Sequence, residues 1–382
     1  MTELRLLSSL SELPAESWDA LHDGSNPFVS HAFLSGLEQQ RCLRDTFGWT
    51  PRHAALFRAG KLVAAAPAYL KSNSHGEFVF DHAWAHAYDR HGLDYYPKWL
   101  VAVPYSPVTG PRILARDLLA RRTLLAAMLE QTRRDGLSSL HANFLEEAEL
   151  PAFDGHWLAR GDVQFHWRND ADWADFDAFL AALTSKKRKN LRAEREQVRR
   201  AGASFRVVHG DEASETDLAD MHAFYCATQM HKGNHPALTL AFFRHLATSM
   251  PRQLVLILAS RNGETIAGAL CLRGGQTLYG RYWGASEELP GLHFETCYYQ
   301  GIDYCLRQGL RVFEPGAQGE HKIARGFLPV LTHSRHFIAD ARFAKAIAPW
   351  CADERNGALR YRELVLQHSP YRDPTADPLP RR

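Results

Sequence analysis

The residues best suited to chemistry lie in one glycine-rich segment, residues 315–329, with the sequence PGAQGEHKIARGFLP. Its glycines permit unusual backbone angles and the close approach of a ligand. Between them stand a carboxylate and an imidazole, which can move protons near neutral pH, and two cations that can hold an anion or a developing oxyanion. These four residues are Glu320, His321, Lys322 and Arg325. The alternative interpretation is a polar turn with ordinary surface charges.

A second candidate group lies in the strand-like run 277–283, where a single arginine stands among aromatic residues. A core strand would bury those rings, and a buried guanidinium needs a carboxylate or phosphate partner. Simple core packing of the rings is the alternative. We predict that Arg281 and Tyr282 line the same pocket as the glycine-rich segment.

A third candidate is the basic segment 184–200, TSKKRKNLRAEREQVRR, with eight basic residues against two acids from position 186 onward. Cations at the beginning of a helix oppose the helix dipole, which favours anions there. Such a broken local rule indicates a phosphate or carboxylate partner, and a solvated helix is the alternative. The residues predicted to bind that partner are Lys186, Lys187, Arg188 and Arg192.

Metal chemistry has little support in the sequence. His82 and His86 would share one face of a helix, as in metal sites, but the preceding run 78–80 favours a strand. In a strand these histidines would stand about 13 Å apart, too far for one metal ion. The six cysteines form no CxxC pair, and no HExxH, GxxxxGK[ST] or GxSxG motif is present. We therefore predict no metal site.

The composition is that of a globular chain, with 45% hydrophobic and 23% charged residues in 382. A formal charge of +2 excludes a surface built as a whole for nucleic acid, while it permits a local basic patch. No run reaches the roughly 20 apolar residues that span a bilayer, and residues 1–18 lack the apolar core of a signal peptide. We expect a cytoplasmic protein without a membrane span, of unknown oligomeric state.

The elements that must position the candidate residues occur twice along the chain. A hairpin pattern with a glycine at its turn covers residues 53–71, and another covers 254–272. A helical pattern and a further strand follow each of them, the helices at about 117–134 and 294–308. Two such halves predict duplicated α+β domains with a boundary near 160–170, and one large mixed sheet is the alternative.

The boundary divides the chain into residues 1–165 and 166–362, and we expect the active cleft in the second of these domains. Asp172 is predicted to be the N-cap of a helix at the beginning of the second domain. The last residues, 363–382, are polar and rich in proline, so this tail is predicted to be disordered.

Several segments resemble the FemAB-like family, which is labelled peptidoglycan biosynthesis/recognition and treated as a family of predicted N-acyltransferases. The resemblance extends from about residue 25 to 355, and its most specific segment is PGAQGEHKIARGF at 315–327. The other segments that carry it are SNPFVSHAFLSGLE (25–38), GKLVAAAPAYLK (60–71), GEFVFDHAW (76–84), YYPKWLVAVPYSPVTGPRIL (95–114), TSKKRKNLR (184–192), LYGRYWGA (278–285) and LHFETCYYQGID (292–303).

This resemblance implies tandem GNAT-like domains, each a mixed, mostly antiparallel sheet flanked by helices, and the transfer of an acyl group to an amine. In Fem enzymes the donor is an aminoacyl-tRNA and the acceptor a muramyl-peptide precursor. The resemblance also implies that the basic segment 186–192 faces the phosphates of the acceptor. The segment 104–112 is similar to the glycine-proline strand of the first Fem domain.

One segment departs from acetyl-CoA-dependent relatives, which hold the pyrophosphate with an [RQ]xxGx[GA] loop before a helix. Here the loop at 285–294 reads ASEELPGLHF, with two glutamates and one glycine. The first half contains no clear copy of the motif. No cofactor is therefore assigned, and acyl-CoA and aminoacyl-tRNA are both retained as possible acyl donors.

We predict a bacterial N-acyltransferase that transfers an acyl or aminoacyl group to an amine on a small molecule or peptide precursor bearing an anionic group. Glu320 or His321 would take the amine proton, while Lys322 and Arg325 would bind an anion or the oxyanion. One alternative is a Fem-type transferase that uses aminoacyl-tRNA on a cell-wall precursor, although the long heptad insertion of the Fem arm is absent. The other is a non-catalytic ligand-binding protein.

Overall fold

The structure is a computed structural model that describes residues 2–317 and 319–372. The described residues form two compact units. The first unit consists of 2–163 and 331–360, and the second consists of 164–330 and 361–372. No helix in the described part of the chain is long and apolar enough to cross a membrane.

The chain contains strands and helices along its whole described length. In the first part they are β1 (Thr2–Leu7), α1 (Ala15–Asp19), α2 (His31–Gln39), β2 (Trp49–Pro51), β3 (His53–Arg58), β4 (Lys61–Ala66), β5 (Ala68–Lys71), α3 (His82–Arg90), β6 (Lys98–Val101), β7 (Leu114–Ala115), α4 (Leu118–Arg134), β8 (Ser139–Leu145) and β9 (Leu158–Arg168).

The second part also contains both strands and helices. Its elements are α5 (Phe176–Ala182), α6 (Ser185–Arg200), β10 (Ser204–His209), α7 (Glu215–His231), α8 (Leu240–Ser249), β11 (Leu254–Arg261), β12 (Glu264–Gly274), β13 (Thr277–Ala285), α9 (Leu292–Phe294), α10 (Gln300–Gln308), β14 (Val312–Glu314), β15 (Leu328–Ile338) and α11 (Ala341–Leu366). A π-helical turn, Glu295–Tyr299, lies between α9 and α10, and a 3-10 turn, Glu320–Arg325, lies between β14 and β15.

The first unit contains a four-stranded antiparallel sheet in the order β1-β3-β4-β7, together with strands in the order β15-β8-β6-β5-β2. Among these five, β6 and β8 are parallel and the other neighbours are antiparallel. Leu124 and Met128 of α4 are buried in one cluster with Trp99 and Leu140 of the parallel strands. The helix thus covers the strands with its apolar face.

The second unit contains strands in the order β10-β11-β12-β13-β14-β9. Only β13 and β14 are parallel, because the helical segment between them returns the chain in the same direction. Helix α7 packs so closely on β13 that a side chain at Gly284 would lie 2.1 Å from the Phe224 carbonyl oxygen. Val198 of α6 and Leu292 of α9 enter a buried cluster with Ile266.

Both predicted hairpins are confirmed, as β3 with β4 and as β11 with β12. The compact units differ from the predicted contiguous domains 1–165 and 166–362 because residues 331–360 belong to the first unit. The two ranges stay a prediction as independently folding domains. The prediction that 363–372 is disordered is wrong, and residues 373–382 lie outside the described part of the chain.

The end of the described chain is held by specific contacts. Helix α11 extends to Leu366, and the Tyr371 ring stacks on Trp173 with centroids 5.7 Å apart. The Tyr371 hydroxyl donates to the Gly326 carbonyl at 2.7 Å. A buried aromatic anchor therefore outweighs the polar composition of this segment.

Two local predictions are wrong. The strand expected around His82 and His86 is helix α3, since Trp84 and Tyr88, four residues apart, bury one helical face. In the described ranges no group of three or more His, Cys, Asp and Glu side chains could hold a metal ion. Asp172 is not an N-cap, because it has a φ of 52° and helix α5 begins after Asp175, which caps it.

Candidate active site

The parallel strands β13 and β14 separate at one point in the second unit. Their pairing ends at Tyr279 opposite Glu314. On its other side β13 has a β-bulge, because Tyr282 pairs with Leu270 and Gly280 with the next residue of β12. Arg281 is the extra residue of this bulge. Bulges next to active sites re-aim side chains in this way.

The loop after β14 forms the 3-10 turn Glu320–Arg325, which glycines bound on both sides. Gly319, with a φ of 114°, precedes the turn, and Gly326, with a φ of 93°, ends it. A side chain at Gly319 would lie 2.4 Å from Cε1 of the His321 ring. Glycine is required there for its backbone angle and for the space that the imidazole occupies.

His321 is exposed, and its Nε2 lies 2.9 Å from the Tyr298 hydroxyl. Partial burial, with Arg325 and Lys322 nearby, lowers the pKa of His321 below its usual 6.5. The imidazole is therefore neutral at neutral pH and able to accept a proton. Glu320, the other predicted proton acceptor, is also exposed, and its Oε1 accepts a hydrogen bond of 2.5 Å from Tyr361.

Lys322 is buried, with 1% of its surface exposed, and its Nζ donates to the Gly316 carbonyl at 2.6 Å. No carboxylate of the described residues lies within ion-pair distance of that ammonium. Burial lowers the pKa of Lys322 to about 8, with Arg281 acting in the same direction and Cys297 opposing it. A buried ammonium that lacks a counter-charge favours an anionic ligand or transition state.

Arg281 and Tyr282 lie together at the bulge, with the guanidinium carbon 5.6 Å from the centre of the tyrosine ring. Burial lowers the pKa of Arg281, while Tyr282 and Glu314 act in the opposite direction. The centres of the Tyr282 ring and of the Tyr225 ring in α7 are 4.9 Å apart. The charge of Arg281 also lowers the pKa of Lys322, so the two cations lie near each other. That Arg281 and Tyr282 line a substrate pocket stays a prediction.

Arg325 is turned inward, and each of its three nitrogens has an internal acceptor. Its Nε donates to the Tyr299 hydroxyl at 3.0 Å, Nη1 to the His321 carbonyl at 2.9 Å, and Nη2 to Glu194 at 2.8 Å. Its guanidinium also lies 3.5 Å from the centre of the Phe294 ring. These bonds hold the turn together, and the binding of an anion by Arg325 stays a prediction.

The four cations predicted on α6 do not join the 320–325 turn: within the described ranges no hydrogen bond or ion pair connects them to it. Arg188 donates to the Leu183 carbonyl at 3.5 Å, and Arg192 pairs with Asp177 at 3.2 Å. Lys186 and Lys187 have no carboxylate at ion-pair distance among the described residues. Arg192 lines a separate cavity of about 580 Å³.

Three residues that were not predicted from the sequence adjoin this candidate site. Tyr298, in the π-helical turn, contacts His321, and such turns are frequent at functional sites. His166 lies 3.9 Å from Glu314, and burial, with nearby Lys322, lowers the pKa of His166 to about 3. The position of Glu314 directly before the glycine-rich segment was a usable signal, whereas nothing local marked His166 on β9.

Comparisons with known proteins identify a matching family and similar solved structures. Residues 9–373 match the FemAB-like family, described as peptidoglycan biosynthesis/recognition. The comparison with curated proteins found no significant match. Among solved structures, FemX is similar, at 12% identity and a TM-score of 0.50 over 88% of this chain and 98% of that one.

Two structures related to lysylphosphatidylglycerol synthesis are also similar. L-PGS from Bacillus licheniformis matches at 12% identity and a TM-score of 0.53, over 92% of this chain and 99% of that one. The C-terminal domain of a putative lysylphosphatidylglycerol synthetase from Agrobacterium fabrum matches at 11% identity and a TM-score of 0.53, over 90% and 97%. With the two units described above, whose sheets are flanked by helices, these matches confirm the predicted α+β fold.

Proposed function

Because the chain belongs to the FemAB-like family, we propose that it is an N-acyltransferase acting on an amine of a peptidoglycan-related precursor. The family supports a transferase in peptidoglycan-related chemistry, and the finer assignment rests on the second unit. One observation carries it. A neutral imidazole, His321, and a buried ammonium, Lys322, are consecutive residues beside the point where two parallel strands separate.

The proposed step is nucleophilic attack by the acceptor amine on the acyl carbonyl. A bond forms between the amine nitrogen and the acyl carbon, and the bond from that carbon to the donor's oxygen or sulfur breaks. The amine proton passes to the imidazole of His321, and the leaving group takes up a proton from the imidazolium or from water. The Lys322 ammonium, with Arg281, stabilises the negative charge that develops on the carbonyl oxygen.

His321 is a better candidate for the base than Glu320. The Tyr298 hydroxyl holds the imidazole by its Nε2 atom, and the lowered pKa keeps the ring neutral near pH 7. Glu320 is bonded to Tyr361. The Tyr361 hydroxyl therefore already occupies one of the two carboxylate oxygens of Glu320.

The loop and helix that would bind the pyrophosphate of coenzyme A favour an aminoacyl ester as the acyl donor instead. A pyrophosphate group binds best at the N-terminus of a full helix preceded by a glycine-rich loop. Here α9 has only three residues before the π-helical turn. The preceding loop carries Glu287, which pairs with Arg261, and Glu288. Their negative charges disfavour a diphosphate at this place.

The test is a transfer assay with purified protein, a mixture of aminoacyl-tRNAs or acetyl-CoA as the donor, and UDP-muramyl peptides as acceptors. Transfer from aminoacyl-tRNA that is lost in H321A, with unchanged thermal unfolding, supports the proposal. Transfer from acetyl-CoA alone overturns the donor assignment. Binding of the muramyl peptide without turnover from either donor overturns the enzyme assignment and identifies a ligand-binding protein.

A further inference from the structure

Helix α6 holds the π-helical turn Glu295–Tyr299 at both of its ends through two consecutive residues. Glu194 accepts a hydrogen bond from the Tyr299 hydroxyl, at the last residue of the turn. Arg195 contacts the carboxylate of Glu295, at the first residue, with its Nη2 at 3.1 Å. Between these two anchors lies Tyr298, whose hydroxyl contacts the His321 ring.

Helix α6 also contacts the 320–325 turn, through Glu194 and Arg325. The Glu194 carboxylate accepts two contacts from Nη2 of Arg325, at 2.8 and 2.9 Å. Nη1 of Arg325 in turn donates to the backbone carbonyl of His321 at 2.9 Å. The backbone of His321 is therefore held by Arg325, which Glu194 contacts directly. The ring of His321 is held by Tyr298, the chain neighbour of Tyr299, to which Glu194 is bonded.

We propose that Glu194 is a positioning residue for His321, and that Arg195 assists it by fixing the other end of the π-helical turn. The proposal rests on the proposed function, because it assigns His321 the proton-accepting role. Glu194 acts through Arg325 and Tyr299 and does not touch the reacting atoms.

The energetics favour a role in geometry over one in overall stability. Helix α6 is already anchored by Leu191 and Val198, which are buried. Removing the charge of Glu194 would leave Arg325, with 7% of its surface exposed, without its counter-ion. A cation in that position moves toward water or a new partner, so its bond to the His321 carbonyl is lost. A small displacement of a catalytic group is costly to the rate.

The same helix supplies a matched control. Glu196 is two residues further on and pairs with Arg199 and Arg200, each at 2.7 Å. Among the described residues no hydrogen bond or ion pair connects these three side chains to the π-helical turn. E196Q therefore removes a glutamate charge from α6 without touching His321.

The experiment compares E194Q, E194D and E196Q in the full chain. We expect kcat to fall 10- to 100-fold in E194Q, with the KM for the acceptor within twofold, and to recover partly in E194D. E196Q should keep wild-type kinetics. Since Arg325 is one cause of the lowered pKa of His321, release of Arg325 should also move the acid limb of the pH profile upward in E194Q. Equal losses in E194Q and E196Q, or none, would overturn the proposal.

A second measurement does not depend on turnover. Hydrogen–deuterium exchange of the backbone amides at 320–326 should become at least tenfold faster in E194Q and stay as in wild type in E196Q. This test separates the two proposals, because it remains valid if no donor supports transfer. If E194Q does not fold, Y299F removes the hydroxyl that Glu194 and Arg325 share, and it should accelerate exchange at the same amides. Unchanged exchange in both variants would contradict the positioning role.

Discussion

Each unit contains one pair of parallel strands that separate, β6 with β8 in the first and β13 with β14 in the second. In the first unit the chain's own backbone occupies the gap. Gly110 forms a parallel bridge with Leu145, and its N–H donates to the Phe144 carbonyl at 3.1 Å. In the second unit β14 ends at Glu314, and the chain turns away into the glycine-rich loop.

The two buried cations next to these gaps also differ, in the number of internal hydrogen-bond acceptors that each of them has. In the first unit the fully buried Arg112 donates from its three nitrogens to the carbonyls of Asn143, Pro111 and Val108, at 3.0, 3.0 and 2.5 Å. In the second unit the ammonium of Lys322 donates to one carbonyl. The first arrangement satisfies a buried charge internally, and the second leaves donors available for a substrate.

We infer from this difference that the proposed transfer belongs to the second unit, because the buried cation of the first unit is satisfied internally. Buried polar groups with too few internal partners are costly and persist where they serve a ligand. This contrast is our basis for assigning the proposed acyl transfer to the second unit, and each prediction below tests that assignment.

The largest expected effect concerns two buried lysines, one in each unit. K322M should lower kcat/KM about 100- to 1000-fold, the range for the loss of one group that stabilises an oxyanion. Lys71 of the first unit is the matched control, because it is also buried and burial lowers its pKa to about 7. Its Nζ donates to carbonyls, that of His75 at 3.1 Å among them. K71M should leave transfer unchanged.

The measurement is steady-state transfer by both variants, with thermal unfolding to confirm that each is folded. Wild-type kinetics in K322M would remove Lys322 from the mechanism. A comparable loss of activity in K71M would show that both units take part in transfer, and the contrast between them would then fail.

The pH dependence of transfer should follow the two groups of the second unit. His321 accepts a proton only when it is neutral, so activity should rise through its pKa, below 6.5. Lys322 acts as a cation, so activity should fall above about pH 8, about tenfold per unit. K322R keeps a charge at high pH and should lack the alkaline limb. A kcat/KM profile for wild type that stays level from pH 8 to 9.5 would contradict the role of Lys322.

Much of the fold could be predicted from the sequence because its signals are local. Glycine-containing turns between apolar runs specify the hairpins β3–β4 and β11–β12, and helical periodicity locates α4. Helix α3 was missed because its apolar face consists of Trp84 and Tyr88 alone, in a segment rich in histidine. The order of strands and the return of 331–360 to the first unit depend on long-range packing, which local patterns do not report.

The candidate site could be predicted only in part, for the same reason. Residue types and glycine spacing singled out the 320–325 turn and Arg281. The inward orientation of Arg325 could not be predicted, because it depends on Glu194 from a helix more than 100 residues earlier. Tyr298 belongs to a helical pattern whose π-helical turn has no signature in the sequence.

Two buried histidines should affect stability alike and activity differently. Burial lowers the pKa of His141 in the first unit and of His166 in the second to about 3, against 6.5 for an exposed histidine. Each histidine makes its full contribution to the free energy of unfolding above pH 6.5, where it is neutral in both the folded and the unfolded chain. As the pH falls from 6.5 toward the pKa of the folded state, that contribution is lost by about 1.4 kcal/mol per pH unit. H141Q and H166Q should therefore both flatten the decline in stability between pH 6.5 and 4.

Transfer assays then separate the same two variants. His166 lies near Lys322 and Glu314, so H166Q should lower kcat/KM about tenfold, whereas H141Q should not change it. Denaturant unfolding at several pH values measures the first effect, and initial rates at pH 7.5 measure the second. Equal activity in the two variants would mean that the surroundings of β14 are not part of the site.

The smallest effect on activity is expected for a substitution at Gly110, where the backbone of the first unit fills the gap between β6 and β8. A methyl group at Gly110 would lie 2.1 Å from Nδ2 of Asn26, a buried side chain that donates to the Thr109 carbonyl at 3.1 Å. G110A should therefore lower the free energy of unfolding by about 1–3 kcal/mol, as overpacking does. G155A, where a methyl group meets no atom within 4 Å, is the control and should stay near wild-type stability.

Neither substitution should change kcat/KM per folded molecule, because the closed gap of the first unit takes no part in transfer. Denaturant unfolding and transfer at a temperature well below the transition test both statements. A change in kcat/KM for G110A at full folding would show that the segment around Gly110 responds to substrate. The first unit would then be a second binding site, and the internal bonds of Arg112 would be a closed state of it instead of a permanent one.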